Sequence, residues 1–125
     1  MFRTSISEKK EYRNLICGKW ETSKSGEFLE IISPVDGSLV GYVPAVTKDE
    51  VDYIIESTKF NQPLWESVPV YEKANILYKA ADILLSRAEE IAEILVMEIA
   101  KDRKSALSEV KRTVDFIKFT ADVGK

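Results

Sequence analysis

The chain has 125 residues, of which 45% are hydrophobic and 31% charged, and its formal net charge is −3 at pH 7. This length suits one domain or a piece of a larger one, and the balanced composition argues against wholesale disorder. No basic cluster stands clear of acidic residues, so we expect no nucleic-acid partner. No stretch approaches the roughly 18 uninterrupted apolar residues of a membrane span, so we expect a soluble protein.

The sequence lacks the residue types on which most catalytic sites depend. It has no histidine, a single cysteine, Cys17, and no glycine between Tyr42 and Val123. A nucleophile needs a neighbouring base, a phosphate loop needs glycines, and structural zinc needs clustered Cys or His. These residues are therefore expected to hold no catalytic group, no cofactor and no metal. The single cysteine and the absence of an apolar leader predict a cytoplasmic location.

The opening third of the chain has the pattern of short strands. Residues 1–13 are polar and aperiodic, which predicts a flexible extension, and a β-rich region is expected over 14–45. Residues 15–20 and 28–33 are rich in aromatic and β-branched side chains and flank a polar turn, so we expect them to pair as a β-hairpin. A turn with proline and glycine then leads to a third strand over 38–43. Cys17, on a predicted strand without a nearby base, is interpreted as a packing residue.

A helical region is predicted over 47–125, and it begins with a capping box. Thr47 and Glu50 have the spacing at which each side chain accepts a hydrogen bond from the other residue's amide. Pro63 is expected to end this first helix. Apolar residues at intervals of three and four predict helical structure over 70–100, broken near 86–88. The chain is therefore expected to be α/β, with a short β-hairpin and a strand followed by a helical bundle.

A last helix is predicted from about Lys104, and Arg112 has an unusual place on it. On a wheel drawn at about 100° per residue, other charges share one narrow face, whereas Arg112 falls among phenylalanines one turn after Glu109. One interpretation is an ion pair with Glu109, the arginine stem covering apolar surface. The other is an anion site, because a guanidinium in partly desolvated surroundings matches a phosphate or a carboxylate.

Several motifs resemble the N-terminal part of the aldehyde dehydrogenase superfamily, and the resemblance covers residues 15–125. The motifs are CGKW at 17–20, ISPVDG at 32–37, VGYVPA at 40–45 and PLW at 63–65. Three further motifs, EIAK at 98–101, KS at 104–105 and SEVKRT at 108–113, are similar to those of NADP-dependent, non-phosphorylating glyceraldehyde-3-phosphate dehydrogenases. Many other members of the superfamily have glycine at the position of Ala100.

The resemblance implies that the chain is part of the outer scaffold of a coenzyme-binding domain. It implies NADP as the cofactor of the full-length parent, a phosphorylated aldehyde as its substrate, and a substrate-binding role for Arg112, the arginine of a Glu-Val-x-Arg motif. The family's catalytic cysteine, general base and nucleotide-binding glycines lie further downstream. The chain is therefore expected to be an inactive fragment that does not bind NADP, with the remainder of a homo-oligomeric parent as its partner.

Two alternatives stay open on the sequence. The parent can be another aldehyde dehydrogenase, such as a succinate-semialdehyde dehydrogenase, and Arg112 does not discriminate because both substrates are anionic. These residues also do not decide between NAD and NADP. The second alternative is a free-standing interaction module, in which helices with apolar flanks dock onto a partner. A reading frame that continues for several hundred residues past Lys125 and includes a cysteine nucleophile favours the enzyme.

Overall fold

The computed structural model describes residues 11–124, which form four strands and four helices in two compact units. The first unit ends at Glu66 and the second begins at Ser67. The strands are β1 (Asn14–Ile16), β2 (Lys19–Glu21), β3 (Phe28–Ile32) and β4 (Leu39–Pro44). The helices are α1 (Lys48–Glu66), α2 (Val70–Ser86), α3 (Ala88–Ile99) and α4 (Arg103–Val123). Within the described range, no helix is both long enough and apolar enough to cross a bilayer.

The first hairpin is shorter than the one that the sequence predicted. Strands β1 and β2 are antiparallel, with Leu15 opposite Trp20, and a two-residue turn joins them. Cys17 and Gly18 form that turn with φ angles of 49° and 77°, the left-handed conformations that match the twist of a tight hairpin. The predicted pairing of residues 15–20 with 28–33 is therefore wrong. The turn at Cys17 and Gly18 has no clear signal in the sequence, because residues with a side chain, such as Cys17, rarely adopt positive φ.

The second hairpin pairs β3 with β4, again antiparallel, with Phe28 opposite Pro44. The third strand, predicted over 38–43, is confirmed as Leu39–Pro44, one residue later at each end. The turn between these strands is closed by Ser33, whose N–H donates to the Ser38 carbonyl at 2.8 Å. Most of the predicted extension over 1–13 lies outside the described residues. Near its end, the Tyr12 N–H donates to the Tyr42 carbonyl at 2.8 Å.

Helix α1 begins with the predicted capping box. The Glu50 N–H donates to Thr47 Oγ1 at 3.3 Å, and the Thr47 N–H donates to Glu50 Oε2 at 2.8 Å. The helix does not end at Pro63 as predicted, because it continues to Glu66. Pro63 lies only three residues before the end, so its missing N–H removes a single backbone bond and the last turn still forms.

The second unit is a bundle in which α4 packs against both α2 and α3. The predicted break near 86–88 is confirmed, since Arg87 separates α2 from α3. Helix α4 begins after Asp102, whose carboxylate accepts from the Ser105 N–H at 2.9 Å. Small side chains dominate the core and allow close approach of the helices. The buried apolar residues are Ala74, Ala81, Ala88, Ala92, Ala106, Val110, Val114 and Ala121.

Candidate functional site

Arg112 lies midway along α4, on a face that nothing in the second unit covers. Together with Glu109, Thr113 and Phe116 it lines a shallow depression of about 310 Å³. Both Arg112 and Phe116 are exposed, whereas Val110 and Val114 on the opposite flank are buried. The helical wheel thus placed Arg112 on the correct flank. The expected partial desolvation is not found within this unit, because the phenylalanine flank points away from the core.

The carboxylate of Glu109 is bound by Lys101 rather than by Arg112. Lys101 Nζ donates to Glu109 Oε2, and these two side chains form an ion pair between the α3–α4 loop and α4. Across residues 11–124, Arg112 makes no ion pair and no side-chain hydrogen bond. The predicted Arg112–Glu109 pair is therefore not formed, and the guanidinium keeps its N–H donors available.

The depression contains one cationic group, Arg112, and one carboxylate, Glu109, which is bound by Lys101. The Thr113 hydroxyl donates to the Glu109 carbonyl at 2.9 Å, so its proton is already used. On the other side of Glu109, a hollow of about 190 Å³ is lined mainly by apolar residues, including Leu84 and Leu95. The arrangement is suited to holding an anion beside an aromatic ring, because the guanidinium is permanently charged and planar.

Cys17 lies far along the sequence from this depression and has a different setting from the predicted one. It is exposed in the β1–β2 turn instead of packed on a strand, and its Sγ lies 3.0 Å from Ser57 Oγ. A hydroxyl cannot take the thiol proton, so this neighbour does not activate the cysteine. The described residues contain no group of three or more His, Cys, Asp or Glu side chains arranged for a metal.

A dinucleotide phosphate needs free backbone N–H groups, which helix N-termini commonly supply. In this chain the N-terminus of α1 holds the Glu50 carboxylate and that of α4 holds the Asp102 carboxylate. Both negative charges oppose a phosphate. Helices α2 and α3 follow Pro69 and Arg87 rather than glycine-rich turns. The N-termini of α1 and α4 are therefore not suited to the phosphates of NADP.

Glu50 also makes contacts that the sequence did not reveal. Beyond the capping box, it accepts from the Lys24 N–H at 2.6 Å and from the buried Ser23 hydroxyl at 2.7 Å. These bonds, led by the one from the Lys24 backbone, lower the pKa of Glu50 to about 2. The partners are more than twenty residues away, and no local pattern marks them. Glu50 thus joins the β2–β3 loop to the start of α1.

Two larger depressions lie in the first unit, and neither has the features of a catalytic site. One, of about 550 Å³, is lined by Glu21, Asp49 and Glu50 with Lys24 and Tyr53 among others. The other, of about 580 Å³, includes Cys17 and Trp65 in its lining. In the first lining, the Glu50 carboxylate is already bound by Ser23, Lys24 and Thr47. The second lining contains Cys17 but no carboxylate, histidine or lysine that could act as its base. Arg112 therefore remains the candidate functional residue.

Known proteins support the resemblance that the motifs indicated. The sequence model of the aldehyde dehydrogenase family matches residues 20–125. The chain is 44% identical to the NADP-dependent glyceraldehyde-3-phosphate dehydrogenase of Streptococcus equinus, over 92% of this chain and 24% of that protein.

Solved structures give the same result. The NADP-dependent glyceraldehyde-3-phosphate dehydrogenase from Bacillus halodurans C-125, complexed with NADP, has a TM-score of 0.87 and 40% identity, over 88% of this chain and 23% of that one. Succinate-semialdehyde dehydrogenase from Burkholderia pseudomallei has a TM-score of 0.87 and 25% identity, over 98% of this chain and 25% of that one.

The chain spans about a quarter of the length of each of these relatives. The predicted α/β class, with a strand-rich region followed by a helical bundle, is confirmed as the N-terminal part of their fold. The matching region begins at Trp20, in the first hairpin, and includes α1 to α4 entirely. By sequence and by structure, the chain belongs to the aldehyde dehydrogenase family.

Proposed function

We propose that this chain is the N-terminal quarter of an NADP-dependent aldehyde dehydrogenase that oxidises glyceraldehyde 3-phosphate to 3-phosphoglycerate. The observation that carries the substrate assignment is Arg112, whose guanidinium lies in a depression on α4 and has no carboxylate bound to it among residues 11–124. The 44% identity to a protein of that activity supports the same conclusion. The full-length enzyme is a cytoplasmic homo-oligomer in this proposal, and this chain alone is inactive.

Arg112 contributes binding and orientation in this proposal. Its planar guanidinium offers paired N–H donors to two phosphate oxygens, which fixes the direction of the substrate as well as its position. The rigid, planar shape of a guanidinium suits it to phosphate better than the single point charge of a lysine ammonium. The nucleophile, the general base and the residues that hold NADP belong to the remainder of the full-length enzyme.

The test is Arg112→Ala in the full-length enzyme, assayed with glyceraldehyde 3-phosphate and with a neutral aldehyde of similar length. Loss of a charge-assisted contact of about 1.5 to 3 kcal/mol lowers kcat/KM for the phosphorylated substrate by roughly ten- to a hundredfold. The neutral aldehyde never makes the contact and is affected far less. Lys111→Ala, which removes the adjacent exposed charge from α4, serves as the control and should leave both substrates unchanged.

Equal losses for charged and neutral aldehydes in Arg112→Ala would contradict the assignment, since they indicate a structural role for the side chain. A second candidate is a carboxylate-bearing aldehyde, which an exposed guanidinium binds in the same bidentate way. The structural similarity to a succinate-semialdehyde dehydrogenase favours it as the alternative. Measuring wild type with both anionic aldehydes decides between them, because the true substrate has the higher kcat/KM and the larger loss on Arg112→Ala.

A further inference from the structure

We propose that Lys101 is a positioning residue which keeps Arg112 available to the substrate anion by holding the carboxylate of Glu109. This inference rests on the proposed substrate-binding role of Arg112 and adds the residue that makes the role possible. Lys101 itself does not line the depression that contains Arg112. Its effect is transmitted through Glu109, which lines that depression and binds Lys101.

Glu109 and Arg112 have the spacing of a helical ion pair. They are three residues apart on α4, where opposite charges on a helix surface are neighbours and normally attract each other. The structure shows a different partner for the carboxylate, because Glu109 Oε2 accepts from Lys101 Nζ. The side chains of Lys101 and Glu109 are 31% and 43% exposed. Water screens the Lys101–Glu109 pair less than it screens a fully exposed pair. The attraction between Lys101 and Glu109 can therefore exceed that between Glu109 and Arg112.

Lys101 lies in a well-defined turn between two helices. Helix α3 ends at Ile99 and is capped by Ala100, which has a φ angle of 52° and donates its N–H to the Val96 carbonyl at 3.0 Å. Asp102 follows directly and caps α4 through the Ser105 N–H. Lys101 is thus fixed between the end of one helix and the cap of the next. Its ammonium reaches Glu109, which lies two turns along α4, without a long flexible loop.

The Lys101–Glu109 pair also sets the net charge around the depression. With Lys101 and Glu109 paired, their charges cancel and Arg112 leaves one net positive charge for an anion. Without Lys101, Glu109 and Arg112 cancel each other, and an incoming phosphate must displace a carboxylate. The other carboxylate three residues from Arg112 is Asp115, which lies near Lys118. Asp82 and, more weakly, Asp115 raise the pKa of Lys118.

The test compares four variants of the full-length enzyme: Lys101→Met, Lys101→Arg, Glu109→Gln and the double variant Lys101→Met with Glu109→Gln. Lys101→Met should raise the KM for the phosphorylated aldehyde by about two- to fivefold, the factor expected for a partly exposed ion pair. The inhibition constant of inorganic phosphate should rise by the same factor, with kcat and the neutral aldehyde little changed. Lys101→Arg keeps the positive charge and should stay close to wild type.

The double variant distinguishes positioning from a structural role. If Lys101 acts by holding Glu109 away from Arg112, removing the carboxylate as well should restore the KM and the phosphate inhibition constant. A loss of stability caused by Lys101→Met would instead lower the Tm and affect the charged and neutral aldehydes alike. An unchanged KM in Lys101→Met, or a raised KM that the double variant fails to restore, would overturn the inference.

The outcomes separate this inference from the proposed function. If Arg112→Ala harms charged and neutral aldehydes alike, the proposed function fails whatever Lys101 does. If Arg112→Ala is selective and Lys101→Met is not rescued by Glu109→Gln, the positioning role alone fails. Should Lys101→Met not fold, Lys101→Gln takes its place, because it removes the charge and keeps a polar side chain of similar length. It should raise the KM for the phosphorylated aldehyde by the same factor, and an unchanged KM would overturn the inference.

Discussion

Glu50 illustrates how one side chain connects segments that are distant in sequence. Its carboxylate accepts hydrogen bonds from two backbone N–H groups, of Lys24 and Thr47, and from the Ser23 hydroxyl. All three favour the charged form, and for this reason the pKa of Glu50 falls from 4.5 to about 2. The β2–β3 loop and the N-terminus of α1 therefore depend on the ionised state of a single residue.

The dependence of stability on pH follows from this lowered pKa. A group whose pKa is lower in the folded state contributes stability above its unfolded pKa, and the contribution is lost as pH falls through the folded value. For Glu50 the window runs from about 4.5 down to about 2. Glu50→Gln should therefore lower the Tm of the chain at pH 7. The difference in Tm between the variant and wild type should shrink as the pH falls from about 4.5 to about 2. Thermal denaturation followed by circular dichroism at a series of pH values measures it.

The matched control for that experiment is Glu56→Gln on the same helix. Glu56 forms an exposed pair with Lys59 and, among the residues that the structure describes, no bond to a distant segment. Its removal should change the Tm little at any pH, because exposed ion pairs contribute weakly. A difference between Glu50→Gln and wild type that stays constant from pH 7 to pH 2 would contradict the assignment.

The sequence predicts side-chain contacts correctly where both partners are close along the chain. The capping box of Thr47 and Glu50 depends on a three-residue spacing and was predicted correctly. The partner of Glu109 was not, because Lys101 reaches it from a turn whose left-handed residue is an alanine. The spacing along α4 favours an ion pair between Glu109 and Arg112. The three-dimensional position of the α3–α4 turn brings Lys101 to Glu109 instead.

At the element scale, the second unit depends on small side chains between helices. Ala81 on α2, Ala92 on α3 and Ala106 on α4 have no exposed surface at all. Polar pairs supplement this core between α2 and α4, where Lys118 Nζ lies 2.7 Å from Asp82 Oδ1 and the Tyr78 hydroxyl donates to Asp122. The helices thus approach closely along a seam that has no space for larger residues.

Neighbouring alanines on α2 allow a controlled test of this close packing. Ala81 is buried and Ala80 is exposed, although both are in the same helix and have the same propensity. Ala81→Leu should reduce the free energy of unfolding by about 1 to 3 kcal/mol, because extra methylene groups force the helices apart. Ala80→Leu adds the same volume in solvent and should change it little. Urea denaturation of the two variants gives the comparison, and equal effects would contradict the assignment of this seam.

The elements themselves were largely predictable, but their ends and pairings were less so. The periodicity of apolar residues located the helical regions and the break at Arg87, because burial on one helix face imposes that spacing. Pro63 does not end α1 as its sequence context predicts, because a proline near the C-terminus of a helix removes only one backbone bond. The strand pairing depended on Cys17 adopting positive φ, which composition does not reveal.

At the scale of the whole molecule, both units carry large apolar side chains on their surfaces. Helix α1 has no buried residue, and Phe60 on it is 81% exposed. On α4, Phe116 and Phe119 are 69% and 63% exposed. Soluble monomers rarely leave contiguous apolar surface of this kind uncovered. The relatives are about four times as long and have further residues available to cover such faces.

The purified 125-residue chain should therefore bind a hydrophobic dye and self-associate as its concentration rises. Replacing Phe116 and Phe119 together by serine should weaken both effects, because it removes two aromatic side chains from one face of α4. Replacing Lys111 by serine on the solvated side of the same helix is the control and should leave association unchanged. Sedimentation velocity over a range of concentrations, with dye fluorescence in parallel, measures the response. A monomer that binds no dye would contradict the prediction, because it would mean that these phenylalanines are not exposed in solution.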